Sequence, residues 1–275
     1  MSGLSNACYR VHIKDETKAA IEPSTLLYRK FECEICDKKV EATVFKSMSD
    51  QSLGPKLHFQ NDEYRIESFF DGRPISIWEM RNPVVMKVLA KKIFEFNFNQ
   101  DAISQISTFK PINKDRLGLD TAIDTWANAV RERLPQIQEK LKGKESDEGA
   151  AFILSICKSL QNDILYDGAE KFCKELAAGP REGKIVLSHN DAQENNILAS
   201  KRDFEQMILI DYEYGDWNPL AFDIANILNE FTVDNAAPFG PFNSGIQFYE
   251  SNFPKRSEME LLASEYLKHY YTAGE

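Results

Sequence analysis

Two short apolar runs, each opening into a polar turn that carries an acid, constrain this chain more than any other feature. In LSHNDAQENNIL, Leu187 to Leu198, an apolar run delivers His189, Asn190 and Asp191 into a polar loop, and Asn196 follows five residues after Asp191. In MILIDYEYGDWNPLAFDIANILNE, Met207 to Glu230, a second apolar run ends in Asp211. Short apolar runs bounded by polar turn residues read as buried strands. Lys184–Leu187 and Met207–Ile210 are therefore predicted strands, and a short excursion between them joins an acid and an amide to a second acid.

That donor set suits phosphoryl transfer from ATP. One carboxylate must orient the attacking hydroxyl and accept its proton, while a carboxylate and an amide hold Mg2+ on the phosphates through oxygen atoms that replace water. The D-x4-N spacing equals that of the protein-kinase catalytic loop, with a metal-binding Asp on the following hairpin. The plain alternative makes Asp191 and Asn196 turn formers and Asp211 a strand-ending residue. The HND sequence, the loop length and the acid after the second run, taken together, favour the catalytic reading.

The remaining pattern places this segment in a helical setting. Upstream, Ala7–Ile13 and Thr25–Phe31 read as strands, Lys38–Met48 as a helix with Val40, Val44 and Met48 on one face, and the stretches around His58 and Tyr64–Phe69 as further strands. Phe70-Asp71-Gly72-Arg73-Pro74 is a turn and a lobe boundary. Beyond it, Asn82-Pro83 opens a helix to about Asn97, Leu119–Leu141 and Asp147–Ala177 carry helical spacing, and a last helix runs from Arg256 to about Tyr271. Strands first and helices after, with an embedded hairpin, predict an α+β chain with a small β-rich N-lobe (1–75) and a larger, mainly helical C-lobe (76–275).

Composition excludes several classes. The chain has 275 residues, 43% hydrophobic, with a net charge of −10 and no dense basic stripe, so nucleic acid is not an expected partner. No apolar run approaches a membrane span, and no basic segment followed by an apolar one marks a leader, so a cytoplasmic chain is expected. The five cysteines lack framework spacing and read as reduced thiols, with Cys33 and Cys36 a chance CxxC near a loop.

The two motifs resemble the HNDxQExN and IDxEY…FDIAN…E signatures of choline and ethanolamine kinases, with the choline enzymes the closer match. MSGLSNACYRV is similar to that family's Gly-rich loop and first strand, LLYRKF to its phosphate-contacting strand, EATVF with MSDQSLGPKL to its N-lobe helix and turn, and RIESFFDGR to its hinge. The resemblance runs from about Ser2 to Pro254. It implies the bilobal protein-kinase-like fold also used by aminoglycoside phosphotransferases, with ATP and Mg2+ as cofactors.

By the same resemblance Asp191 is the catalytic base, Asn196 and Asp211 are Mg2+ ligands, and Glu213 reaches a second Mg2+. Arg29 contacts phosphate and is oriented by Glu41; Gly3, Ser5 and Asn6 cover the phosphates; Ser68 and Phe70 lie along the adenine. Gln193, Tyr214 and Glu230 line the amino-alcohol site, where a carboxylate and aromatic faces hold an ammonium. Trp217 reads equally as core or wall, His189 as structural, and Asp223 as a brace for the loop and a cap for the next helix. The expected reaction is ATP-dependent phosphorylation of choline to phosphocholine, a step of phosphatidylcholine synthesis. Ethanolamine is the alternative acceptor, a catalytically silent kinase-like protein is the alternative class, and a homodimer is the expected assembly. The chain departs from the family pattern at Asn97, where His is usual, at Asn195, where Gly is usual, and at Phe231 and Asn235, which replace aromatic wall residues. It also stops at Glu275, before C-terminal helices that supply aromatic substrate contacts in the family, which leaves open a trimmed chain or a reduced member.

Overall fold

The computed structural model describes residues 6–12, 25–32, 36–162, 168–177, 183–200, 204–240 and 243–274. The chain packs into two compact units, Met1–Pro111 with Ile185–Glu275, and Ile112–Lys184. The first unit begins with an antiparallel sheet of β1 (Asn6–His12), β2 (Thr25–Phe31), β3 (Leu57–Gln60) and β4 (Tyr64–Ser68), in the order β1-β2-β4-β3. Register sets Cys8 opposite Arg29, and Arg29 opposite Arg65, so the three lie in a row across β1, β2 and β4. Strand alternation normally buries apolar residues, yet β4 buries Arg65 and Glu67 and leaves Tyr64, Ile66 and Ser68 half-buried. Helix α1 (Lys38–Asp50) is capped by Asp37, whose carboxylate accepts the Val40 N–H at 3.1 Å, and buries Val40, Glu41, Val44, Phe45, Ser47 and Met48.

A short β5 (Gly72–Pro74) leaves that sheet. Helix α2 (Ile77–Met80) starts in a Ser76–Glu79 capping box, and α3 (Pro83–Asn97) starts with Asn82 as cap and proline in its first turn, as the sequence predicts. Helix α4 (Gln100–Phe109), capped by Asn99, has no counterpart in the sequence reading. The second unit contains α5 (Gly118–Leu141), α6 (Glu148–Leu160) and α7 (Ala169–Ala177). The single helix expected over Asp147–Ala177 is thus two, and Gly168, at φ +87, lies in a conformation no helix contains.

The chain then returns to the first unit. Strand β6 (Ile185–Ser188), wholly buried, pairs with β9 (Asp216–Pro219), while β7 (Ile197–Ser200) and β8 (Met207–Leu209) form the predicted hairpin, which β5 joins through β7. Helix α8 (Phe222–Glu230) follows, then the paired fragments β10 (Val233–Asp234) with β13 (Gln247–Phe248) and β11 (Phe239–Gly240) with β12 (Asn243–Ser244), and finally α9 (Arg256–Thr272). The core lies where α3 meets α9, β6 and β8; Leu89, Ile93, Phe96 and Leu262 there are completely buried. Arg81, after α2, grips the Glu258 carboxylate at the start of α9 through Nε and Nη2 at 2.9 and 2.8 Å.

Among the described residues no helix is long and apolar enough to cross a membrane. Cys36 is disulfide-bonded, which corrects the expectation of a reduced thiol there; Cys8, Cys157 and Cys173 are free. The flanking acids Glu32 and Asp37 disfavour a thiolate, but that says nothing of whether the sulfur is paired.

Candidate active site

Strand β6 ends at Ser188, and the chain turns through Asn190 at φ +66, a left-handed conformation that Asn tolerates better than most residues. Asp223 holds the turn. Its fully buried carboxylate accepts the N–H of His189 on Oδ2 and of Asn190 on Oδ1, both at 2.9 Å. The brace is as expected, but the cap is not: Asp223 lies inside the first turn of α8, and Ala221 at its N-cap makes no side-chain bond. Asn190 adds two bonds, donating to the Tyr214 carbonyl at 2.6 Å and accepting from Asn218 at 2.7 Å. His189 is structural. Its Nε2 lies 3.0 Å from the Ile210 carbonyl, which only accepts, so Nε2 carries the hydrogen; burial pushes the ring's pKa down and keeps it neutral.

This turn presents Asp191 to a group of acids. Asn196, at the end of the 3-10 turn Glu194–Asn196, donates its Nδ2 to the Asp191 carboxylate at 2.6 Å and to its carbonyl at 2.9 Å. Asn195, where Gly is usual in the family, stays within that 3-10 turn; the left-handed residues nearby are Asn190 and Asp211, φ +67. The Ile210 N–H donates to the Asn196 carbonyl at 3.0 Å, which ties the loop to the end of β8 just before Asp211. Burial first, then the negative charges of Glu230, Asp211 and Glu213, push the Asp191 carboxyl up to about 8 against the lowering effect of Asn196. Glu213 is buried and accepts from Asn6 Nδ2 at 3.0 Å, which brings the start of β1 to the acidic group.

The charged row on the sheet corrects one expected pairing. Arg29 Nη1 meets Asp211 Oδ1 at 3.1 Å, whereas Glu41 accepts from Arg65 Nη1 at 3.0 Å and does not orient Arg29. Arg65 also donates Nε to Glu67 at 2.6 Å and lies over the Phe45 ring at 3.6 Å. The reason is register: Arg65 stands beside Arg29 on the face toward α1 and is held there by Glu41 and Glu67. Burial works against the Arg29 charge, but Asp211, Glu67 and Glu41 outweigh it and hold its pKa above the ordinary value. Ser68 lies at the end of β4, 2.8 Å from His58 Nε2, and Phe70 follows in the turn before β5. Gly72 has no room for a side chain, since a Cβ would sit 2.3 Å from the Phe70 ring and 2.5 Å from the Ala199 carbonyl. Gly3 and Ser5 lie outside the described residues.

On the other side of Asp191, Gln193 Oε1 accepts from Asn195 at 3.3 Å and is occupied in shaping the loop. Glu230 is half-buried, and burial followed by the nearby charge of Glu194 raises it to about 7. Asn235 bridges the two acids: its N–H and Nδ2 donate to Glu194 at 2.7 and 3.2 Å, and its Nδ2 lies 3.4 Å from Glu230. Tyr214 is half-buried, its hydroxyl pushed up to about 12 by burial and then by Glu213. Trp217 is core, buried, with Nε1 donating to the Lys110 carbonyl at 2.8 Å; Phe231 is wholly buried as well. Of the aromatics considered for a wall, Tyr214 alone is partly open.

The donor set suits Mg2+. Asn196 spends its amide nitrogen on Asp191, which turns its oxygen to another partner, and Asp211 and Glu213 add carboxylate oxygens, the hard ligands this ion takes. Among the described residues no group of three His, Cys, Asp or Glu side chains is gathered tightly enough to hold a metal unaided. Mg2+ usually binds through one or two carboxylates, with water and phosphate completing its shell.

Sequence reasoning missed Arg65, Glu67 and Glu194, and it marked Asn235 only as a lost aromatic, not as the bridge between Glu194 and Glu230. The alternation of YRIES marks Tyr64 and Ile66 as the inward residues, so nothing local reveals that the charged face is the buried one.

The sequence profile of the choline/ethanolamine kinase family matches residues 1–274. A human choline/ethanolamine kinase is 27% identical over 246 residues, covering 87% of this chain and 55% of its own length. The chain spans 55–61% of the length of its curated choline/ethanolamine kinase relatives from human, rat and mouse. Two solved structures share the fold at a TM-score of 0.64 and 24% identity: choline kinase from Cryptosporidium parvum Iowa II, covering 99% of this chain and 72% of its own, and Plasmodium vivax ethanolamine kinase, covering 98% and 66%. The α+β, protein-kinase-like class expected from the sequence is the class of these structures.

Proposed function

The chain belongs to the choline/ethanolamine kinase family, and from that premise we propose that it moves the γ-phosphoryl group of ATP to the hydroxyl of an amino alcohol, choline in the first place and ethanolamine as the alternative. The observation that carries this reading is Asp191, held by Asn196 and facing Asp211, Glu213 and Glu230, with its carboxyl raised to about 8. A carboxyl there takes the hydroxyl proton as the oxygen attacks phosphorus, and Asn196 fixes which oxygen of Asp191 faces the hydroxyl. The charges that raise Asp191 are those a cationic acceptor and the metal would neutralise, so the base gains strength in isolation and ionises as the site fills. Arg29 turns from Asp211 to the phosphates, where a guanidinium offers several donors at once. Asn196, Asp211 and Glu213 would hold Mg2+, which would supply charge neutralisation on the phosphates when bound. Glu230 and Tyr214 face the ammonium group.

In this reading residues 1–75 carry the nucleotide and 76–275 the acceptor, and the protein acts in the cytoplasm on the route to phosphatidylcholine. The test is ADP release with Mg-ATP and choline, ethanolamine or no acceptor. Choline-dependent turnover supports the proposal, and a preference for ethanolamine changes the acceptor alone. Mg-ATP binding with no turnover on either acceptor overturns the kinase assignment.

A further inference from the structure

One buried hydrogen-bond chain runs from the last helix to the catalytic turn, and the reaction outlined above makes no use of its far end. Tyr266 of α9 is 2% exposed, and its hydroxyl donates to Asn97 Oδ1 at 2.7 Å. Asn97, completely buried at the end of α3, donates its Nδ2 to Asp223 Oδ2 at 2.7 Å and to the Leu187 carbonyl at 2.8 Å. Asp223 in turn holds the N–H groups of His189 and Asn190, the two residues before Asp191.

The chemistry fixes the direction of every bond. A carboxylate and a carbonyl only accept, so the amide nitrogen of Asn97 must face Asp223 and Leu187, and its oxygen must face away from them. That oxygen is buried and needs a donor, and Tyr266 supplies it. Burial and the Asp223 charge keep the Tyr266 hydroxyl protonated far above neutral pH, so the donor is permanent. We propose that Tyr266 and Asn97 are positioning residues for Asp191: together they hold the Asp223 carboxylate in the orientation that sets the left-handed turn at Asn190 and aims the base. The role rests on the kinase reading only in so far as Asp191 is the base; the geometry it maintains exists without turnover.

The test uses Tyr266→Phe, which removes one oxygen and opens no cavity, Asn97→Leu, and Asn97→His, whose ring keeps one donor for Asp223 and one acceptor for Tyr266. Tyr266→Phe is expected to lower kcat about threefold to tenfold, the worth of one buried hydrogen bond, with KM for ATP and acceptor unchanged. Asn97→Leu is expected to lower kcat further, Asn97→His to restore most of it, and Tyr266→Phe to add nothing in the Asn97→Leu background. Backbone amide exchange at His189 and Asn190 is expected to quicken in Tyr266→Phe, relative to Val186 in β6. Unchanged kcat and exchange in Tyr266→Phe, or additive effects in the double variant, overturn the proposal. If the unmodified chain has no turnover, the kinase reading fails by itself, and the exchange measurement still decides the positioning role. If Asn97→Leu does not fold, Tyr266→Phe and Asn97→His decide it.

Discussion

A carboxyl held near 8 is still protonated at neutral pH in the folded chain but ionised in the unfolded one, where Asp titrates near 4. Between those two values the folded state binds a proton that the unfolded state has released. Stability therefore falls as pH rises through that window, and the whole cost is present above pH 8. Glu230, raised to about 7, adds a smaller cost of the same sign. Asp191→Asn removes the larger one: Tm is expected to rise by about 2 °C or more at pH 8.5 and to match the parent near pH 4, while turnover is lost and Mg-ATP binding persists. Equal Tm values at both pH values would mean that Asp191 is not perturbed. Glu230→Gln removes a charge that raises Asp191, so the acid limb of kcat/KM is expected to move to lower pH, with KM rising far more for the acceptor than for ATP. A KM effect equal for both substrates would remove Glu230 from the acceptor side. The residues behind these predictions were legible because they sit in two continuous motifs; Asn235 was legible only as a lost aromatic, because its bond to Glu194 spans segments far apart in the chain.

Among the elements, the hairpin, α3 with its cap and proline, and β2 follow directly from local pattern and turn chemistry. The layout of charge between elements does not, because it depends on which strands are neighbours. The family resemblance implies that Glu41 orients Arg29; the β2–β4 register puts Arg65 beside Arg29, and Arg65 takes Glu41. Arg65 joins α1 to the sheet through Glu41 and pairs with Glu67 on its own strand, so Arg65→Met leaves two buried carboxylates without this partner. That loss is expected to cost about 3–5 kcal/mol in chemical unfolding. Retained stability would show that water reaches those acids. Asn97 teaches the same lesson: at the end of α3 it looks like a plain helix terminus, and its three partners lie in β6, α8 and α9.

For the whole molecule, a ligand that binds the folded site and not the unfolded chain should stabilise the fold. Mg-ATP at a hundred times its Kd is expected to add about 2.7 kcal/mol. For a chain of this size that means a rise in Tm on the order of 5–10 °C, abolished by EDTA. Equal stabilisation by ATP in EDTA would separate nucleotide binding from the metal. The sequence expectation is a boundary at the turn near residue 75, and the compact units are Met1–Pro111 with Ile185–Glu275, and Ile112–Lys184. Turn residues such as Gly72 and Pro74 mark a break in chain direction, and packing decides what stays together across it. Here β5 pairs with β7, with Gly72 wedged against the Ala199 carbonyl. The segment that follows the first sheet is thereby the outer strand of the ribbon whose other strands adjoin Asn196 and Asp211. If Asn196 and Asp211 hold the metal, as proposed, the strand that follows β4 is hydrogen-bonded into the same ribbon that carries both ligands.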